Sequence, residues 1–168
     1  VGVTVQGCTI SGCYSTATLT GNFTNSEGYY DPDDLPPDTI GGIVGARFDG
    51  SLTVTDCWFG GKIIVNSTLA AVGGIVGYTD DQLGTGTVNN CMVTTTDMGV
   101  DKGGNTCWVA YALGGTVENC YWPNDTKYGP SPLAYGEGTA VTDFTSAART
   151  SAEVKSVTAV PSPYASGD

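Results

Sequence analysis

The sequence contains no histidine, and only six lysines and arginines stand against 17 aspartates and glutamates, giving a formal net charge of −11. Without histidine there is no Ser-His-Asp triad, no Cys-His pair and no His-ligated metal. The shortage of cations argues against nucleic acid, whose phosphates need a basic surface, and against an anionic membrane surface. No apolar run approaches the roughly 20 residues that span a bilayer, so no membrane insertion is expected. Long runs of Leu, Glu, Lys and Ala are missing as well, which leaves helix propensity poor. The six cysteines include no C-x₂-C pair, the spacing that zinc sites favour. Neither a metal nor a cofactor is expected.

What is present favours strands and turns: 25 glycines, with frequent threonine and valine. A chain of 168 residues is long enough for one domain with a core. It opens in strand-like VGVTV without initiator Met or signal peptide, which reads as a mature or excised piece.

The pentapeptide GGIVG occurs at residues 41–45 and again at 73–77, and each copy is followed by a cysteine, Cys57 and Cys91. A third, eroded copy reads NTCWVAYALGGTVENC and ends at Cys120; in it Cys107 is aligned with Ile43 and Ile75. A partial copy, TVQGCTISGC, begins the chain. The cysteine ends read TVQGC, TISGC, TVTDC, TVNNC and TVENC, all of the form [VI]-x-[GND]-C. Gly7, Gly12, Asp56, Asn90 and Asn119 precede the cysteines, and these residue types tolerate the left-handed conformation. A flat strand alternates its faces, so Val and Cys three apart cannot both point inward along one strand. Two strands joined at a bend allow it. An aromatic or Met follows four of the cysteines, at Tyr14, Trp58, Met92 and Tyr121, which favours Cys13 over Cys8 as the partner of the later ones.

A repeat of about 32 residues with several short strands and glycine corners predicts an all-β fold, a β-solenoid of parallel β-helix type. It would have about three to four coils over residues 1–122, a capping segment at 123–160 and a tail or linker at 161–168. Two similar hairpins in a β-sandwich are the alternative. The run TSAARTSAEVKS suits one or two short helical turns, with Ser151 as an N-cap. The final PSPYASGD reads as linker, with more chain expected to follow.

GGIVG followed by a V-x-N-C corner resembles the GLUG motif, a repeat of bacterial surface and secreted proteins, some of them adhesin-like or peptidase-associated. The resemblance covers roughly residues 1–122, clear at two copies and weaker at the third. It implies an extracellular or cell-surface β-solenoid and supplies no catalytic residue.

Between Cys13 and the first GGIVG lies an insertion, NSEGYYDPDDLPPDT, carrying Tyr29, Tyr30, Asp31, Asp33, Asp34 and Asp38. Tyrosines beside carboxylates suit a contact loop for sugar or Ca²⁺, although EF-hand spacing is absent and Pro32 interrupts the pattern. An ordinary acidic loop is the simpler reading, and it applies equally to Asp80, Asp81 and Gln82 and to residues 97–105. Asn22, Asn66 and Asn124 lie in N-x-T triplets, glycosylation acceptors if the source modifies secreted proteins. Cysteines recurring at one place read as a buried apolar ladder rather than disulfides; if a disulfide forms, Cys8 and Cys13 are the expected pair.

The expected function is a non-enzymatic extracellular module that binds a glycan or host-surface ligand. The alternative is a structural subunit that joins identical subunits, or other chains of a surface assembly, into a fibre or sheath. A polysaccharide-active β-helix enzyme is the third reading; it would require carboxylates such as Asp49, Asp56, Asp80 and Asp97 to pair across coils.

Overall fold

The structure is a computed structural model that describes residues 3–4, 6–23, 38–47, 49–67, 70–79, 85–98, 105–112, 114–123, 133–135 and 147–149. Among these there is no helix, and every strand pairing is parallel. The strands form five sheets. Sheet 1 stacks Val3–Thr4, Val44–Arg47, Val76–Thr79, Ala110–Ala112 and Leu133–Tyr135 in that order. Sheet 2 stacks Cys8–Ser11, Leu52–Thr55, Gly86–Asn89 and Gly115–Glu118. Sheet 3 stacks Tyr14–Ser15, Trp58–Phe59, Met92–Val93, Tyr121–Pro123 and Ala147–Arg149. Sheet 4 pairs Thr18–Gly21 with Lys62–Val65, and sheet 5 stacks Thr39–Gly41, Ala71–Gly73 and Asn105–Cys107.

Within each sheet the spatial order follows the chain order. The chain therefore visits sheets 5, 1, 2 and 3 in sequence, then repeats the visit one layer on. Parallel strands cannot be joined by a tight hairpin, and the intervening strands of the other sheets supply the crossover. This arrangement is compatible with a β-solenoid. Antiparallel pairing, the mark of the sandwich alternative, is absent among the described residues.

The repeat fixes the register. Val54 lies opposite Val88, and Val88 opposite Val117, with Ile10 completing the column against Val54. The three valines are fully buried, and so are Cys57, Cys91 and Cys120 beyond the corner. Identical side chains stacked at strand spacing pack on one another, so the residue type recurs from layer to layer.

Glycine is required where GGIVG turns. A side chain at Gly42 would fall against the Phe59 ring and the Gly74 carbonyl; one at Gly74 would meet Val93 and the Trp108 carbonyl. In the third pass the glycine is replaced by Trp108, whose fully buried side chain enters the core from that corner. This corrects the alignment of the eroded copy. Cys107 pairs with Gly73, not with the isoleucines, and Val109 takes the place of Ile75. The loss of both glycines left no marker from which to read the offset.

Two further differences from the sequence expectations lie toward the C-terminus. Leu133–Tyr135 and Ala147–Arg149 extend sheets 1 and 3 beyond Trp122. Ala147–Arg149 is thus strand where helical turns were expected; parallel pairing with Tyr121–Pro123 overrides the local preference of an Ala-rich stretch. Ser151 lies outside the described residues, as does the rest of the segment beyond Arg149.

Candidate functional site

The corner is the most regular feature of the molecule. Asp56, Asn90 and Asn119 have φ of 53°, 52° and 49°, and Gly12 has 63°. These four residues hold one position in successive passes. After each, the chain turns from sheet 2 into sheet 3, and the thiol that follows lies near the carbonyl two residues back. The Sγ distances are 3.4 Å from Cys13 to Ser11, 3.1 Å from Cys57 to Thr55, 3.3 Å from Cys91 to Asn89 and 3.2 Å from Cys120 to Glu118. Cysteine is thus a small apolar residue whose thiol adds a weak second donor to carbonyls that, at Thr55, Asn89 and Glu118, already accept a backbone amide of the preceding layer. Gly7 sits elsewhere, against Ser51 on the way into sheet 2, because Cys8 is the register partner of Leu52. Cys13 is the residue that continues the cysteine column, its carbonyl accepting from Trp58.

All six cysteines are free in the structure. The adjacent Cys91 thiol, with burial second, pushes the Cys57 thiol far up, and contact with Cys120 does the same for Cys91. Burial pushes Cys107 up to about 12. Such thiols stay protonated and unreactive, which removes them as nucleophiles.

Outside the corner, polar side chains form their own ladder. Asn90 donates its side-chain amide to the Asp56 carboxylate one layer back. Asn119 donates to Asn89 at 3.4 Å, and Asn89 to Glu118 at 3.4 Å. The carboxylates are engaged separately: Asp49 accepts from the Gly50 amide at 2.6 Å, and Asp97 pairs with Lys62 at 2.5 Å on the exposed surface. Asp80 lies outside the described residues. Among the described residues no group of three or more Cys, Asp and Glu is placed to hold a metal ion.

Asn66, one of the three acceptor triplets, is occupied structurally. Its Oδ1 accepts from the Phe23 amide at 2.8 Å and its Nδ2 donates to the Phe23 carbonyl at 3.1 Å. A glycan on Nδ2 would compete with that clamp. Asn22 is exposed, and Asn124 lies outside the described residues. The contact-loop residues Tyr29, Tyr30, Asp31, Asp33 and Asp34 also lie outside them. The ends of that insertion are fixed nonetheless: Phe23 by Asn66, and Asp38 by accepting from the Ala71 amide at 2.8 Å.

Two features escaped the sequence reading. Arg47 is fully buried, with Nη1 donating to the Gly50 carbonyl at 2.5 Å. Alternation along Val44–Arg47 would place it on the face opposite Val44 and Ala46, so no sequence signal marks its burial. On sheet 3, Tyr14 and Trp58 stack with ring centroids 6.0 Å apart and planes 24° from parallel. Trp58 Nε1 donates to Thr94 Oγ1 at 2.9 Å, fixing the indole over the next layer. The aromatics that follow Cys13 and Cys57 are the sequence signal from which this stack could have been read.

No family model, no curated protein and no solved structure matches this chain.

Proposed function

We propose that the chain is a β-solenoid of the kind that GLUG repeats are expected to form, of about three to four coils with an irregular C-terminal cap. In this reading it is a non-enzymatic, extracellular or cell-surface module that presents a rigid outer face to a glycan or host-surface ligand. One observation carries the reading: layer after layer, the same residue types recur in register, valine inside, a left-handed Asp or Asn at the bend, then a buried thiol. A scaffold repeated in this way fixes the position of loops without itself supplying reactive groups. Asp49, Asp56, Asp97 and Glu118 each engage a separate structural partner.

The test is an array of glycans and host-surface proteins probed with this chain, run beside a panel of polysaccharides assayed for cleavage. The expected result is retention on one ligand class with no cleavage. Release of reducing ends or unsaturated sugars would overturn the non-enzymatic reading. A second reading is end-to-end assembly into a fibre or sheath, in which the in-register parallel stacking would continue from chain to chain; electron micrographs showing long polymers would establish it.

A further inference from the structure

Four cysteines stand in one column. The amide of Trp58 donates to the Cys13 carbonyl at 2.9 Å, that of Met92 to Cys57 at 2.8 Å and that of Tyr121 to Cys91 at 2.9 Å, so each corner cysteine lies against its counterpart in the next layer. The register on either side agrees. Before the bend Ser11 is opposite Thr55, Thr55 opposite Asn89 and Asn89 opposite Glu118; after it Tyr14 is opposite Trp58, Trp58 opposite Met92 and Met92 opposite Tyr121. Each later thiol also leans toward the layer before it. Cys57 Sγ is 3.9 Å from the Ile10 carbonyl oxygen, Cys91 Sγ 3.7 Å from that of Val54 and Cys120 Sγ 3.6 Å from that of Val88.

Paired strands lie about 4.8 Å apart, inside the roughly 4.4–6.8 Å between Cα atoms that a disulfide spans. Cysteines two layers apart, at about 9.6 Å, are outside it. The column therefore allows Cys13 to pair with Cys57, Cys57 with Cys91, or Cys91 with Cys120. A bond between Cys57 and Cys91 strands the thiols at both ends, whereas the first and last pairings together leave no thiol over. Among the described residues the other two cysteines face no cysteine in the adjoining layers, since Cys8 lies opposite Leu52 and Cys107 opposite Gly73. Cys8 is also out of reach of Cys13, because the extended strand Cys8–Ser11 alone spans about 10 Å before the bend.

We propose that the column is a disulfide site in which Cys13 pairs with Cys57 and Cys91 with Cys120, each bond stapling one layer to the next when the chain folds in the presence of a small-molecule disulfide such as oxidised glutathione. The staples require in-register stacking alone and do not depend on the ligand-binding reading. Before the column closes, one cysteine thiolate attacks the glutathione disulfide, forming a mixed disulfide and releasing one glutathione. The thiolate of its column partner then attacks the protein sulfur of that mixed disulfide, and the second glutathione leaves. Each staple thus passes two electrons to one glutathione disulfide, and the two thiol protons end on the two glutathiones released. Folding fixes the outcome. Once stacked, the Cys57 and Cys91 thiols are pushed far up by the neighbouring thiol and by burial, so in the folded, reduced chain they form too little thiolate to enter the exchange. All six cysteines are thiols in the present structure, which is this reduced form.

The experiment uses the whole chain, as wild type and with Cys8→Ala and Cys107→Ala so that every remaining cysteine belongs to the column. Each protein is reduced, unfolded in guanidinium and refolded with reduced and oxidised glutathione. Free thiols are alkylated, and trypsin is applied without reductant. Cleavage after Arg47, Lys62, Lys102 and Lys127 puts the column cysteines on separate peptides, which mass spectrometry identifies. Two linked species are expected, residues 1–47 with 48–62 and residues 63–102 with 103–127, and the intact chain should lose four hydrogens. Wild type should give the same two links even if the variant folds poorly. Joining of 48–62 to 63–102 would overturn the pairing, as would four alkylated column thiols in a refolded chain with native circular dichroism. Links in folded wild type that disappear from a folded variant would overturn it too, since they run through Cys8 or Cys107. Folded, reduced chain given the same glutathione mixture should keep Cys57, Cys91 and Cys120 as thiols; stapling there as fast as during refolding would overturn the claim that the bonds form before the column closes.

Discussion

Asn90 donates its side-chain amide to Asp56 of the preceding layer, and both residues stand in the left-handed region at φ 52° and 53°. The bend and the ladder are therefore one device. The residue that tolerates the conformation also carries the group that ties one layer to the next.

A β-branched side chain at this bend is strained and cannot reach its neighbour. Asn119→Val should destabilise by about 1–3 kcal/mol, the usual cost of such a backbone conformation. Asn119→Gly should lose less, because glycine adopts positive φ freely. Urea denaturation of both variants measures the difference; equal midpoints for Val and wild type would contradict the bend.

The Gly74 corner gives a second prediction. Adding a methyl there places it against Val93 and the Trp108 carbonyl, so Gly74→Ala should cost about 1–3 kcal/mol by overpacking. Trp108→Ala opens a cavity in the same region and should cost about 3–5 kcal/mol. Thermal melts of the two variants report the order.

Cys107 predicts an alkaline limit. Its thiol is raised from 9.0 to about 12 by burial, so the native state holds the proton more tightly than the unfolded chain. The sign follows: the contribution is fully present below pH 9 and is lost as pH rises toward 12. Between pH 9 and 10.5, wild type should lose roughly 1.5 kcal/mol more than Cys107→Ala. Parallel pH dependences for the two proteins would show that this thiol ionises as readily folded as unfolded.

The insertion should be dispensable to the fold. Deleting residues 26–37 leaves the Asn66 clamp on Phe23 and the Asp38 carbonyl in place at its two ends. The melting temperature should stay within a few degrees of wild type, while retention on the ligand array is lost. Unfolding on deletion would mean that the loop is part of the core.

The parts of the fold legible in the sequence were those where one residue type is forced by geometry. Asp56, Asn90, Asn119 and Gly12 announced the bends because few residues adopt positive φ. The cysteine column followed from the same signature. Where a residue type admits two explanations, the reading slipped. TVQGC matches the corner pattern by composition, yet Gly7 lies before a sheet 2 strand rather than after one. Trp108 replaces a glycine, so the third copy lost the landmark that would have set its register. Ala147–Arg149 reads as helix locally and is strand because sheet 3 offers an edge. Nothing local marks Arg47 as buried or Asn66 as a clamp, since both depend on partners brought close only by the fold.

The central claim is that layers stack in parallel with equivalent residues in register, and solution NMR tests it most directly. Nuclear Overhauser contacts should link the methyl groups of Ile10, Val54, Val88 and Val117 in that order, and should link the Cβ protons of Cys57 to Cys91 and of Cys91 to Cys120. Neighbouring strands should lack close Hα–Hα contacts. Strong Hα–Hα contacts between strands, which antiparallel pairs make where Cα atoms approach to about 4.5 Å, with no methyl series along the valine column, would contradict it.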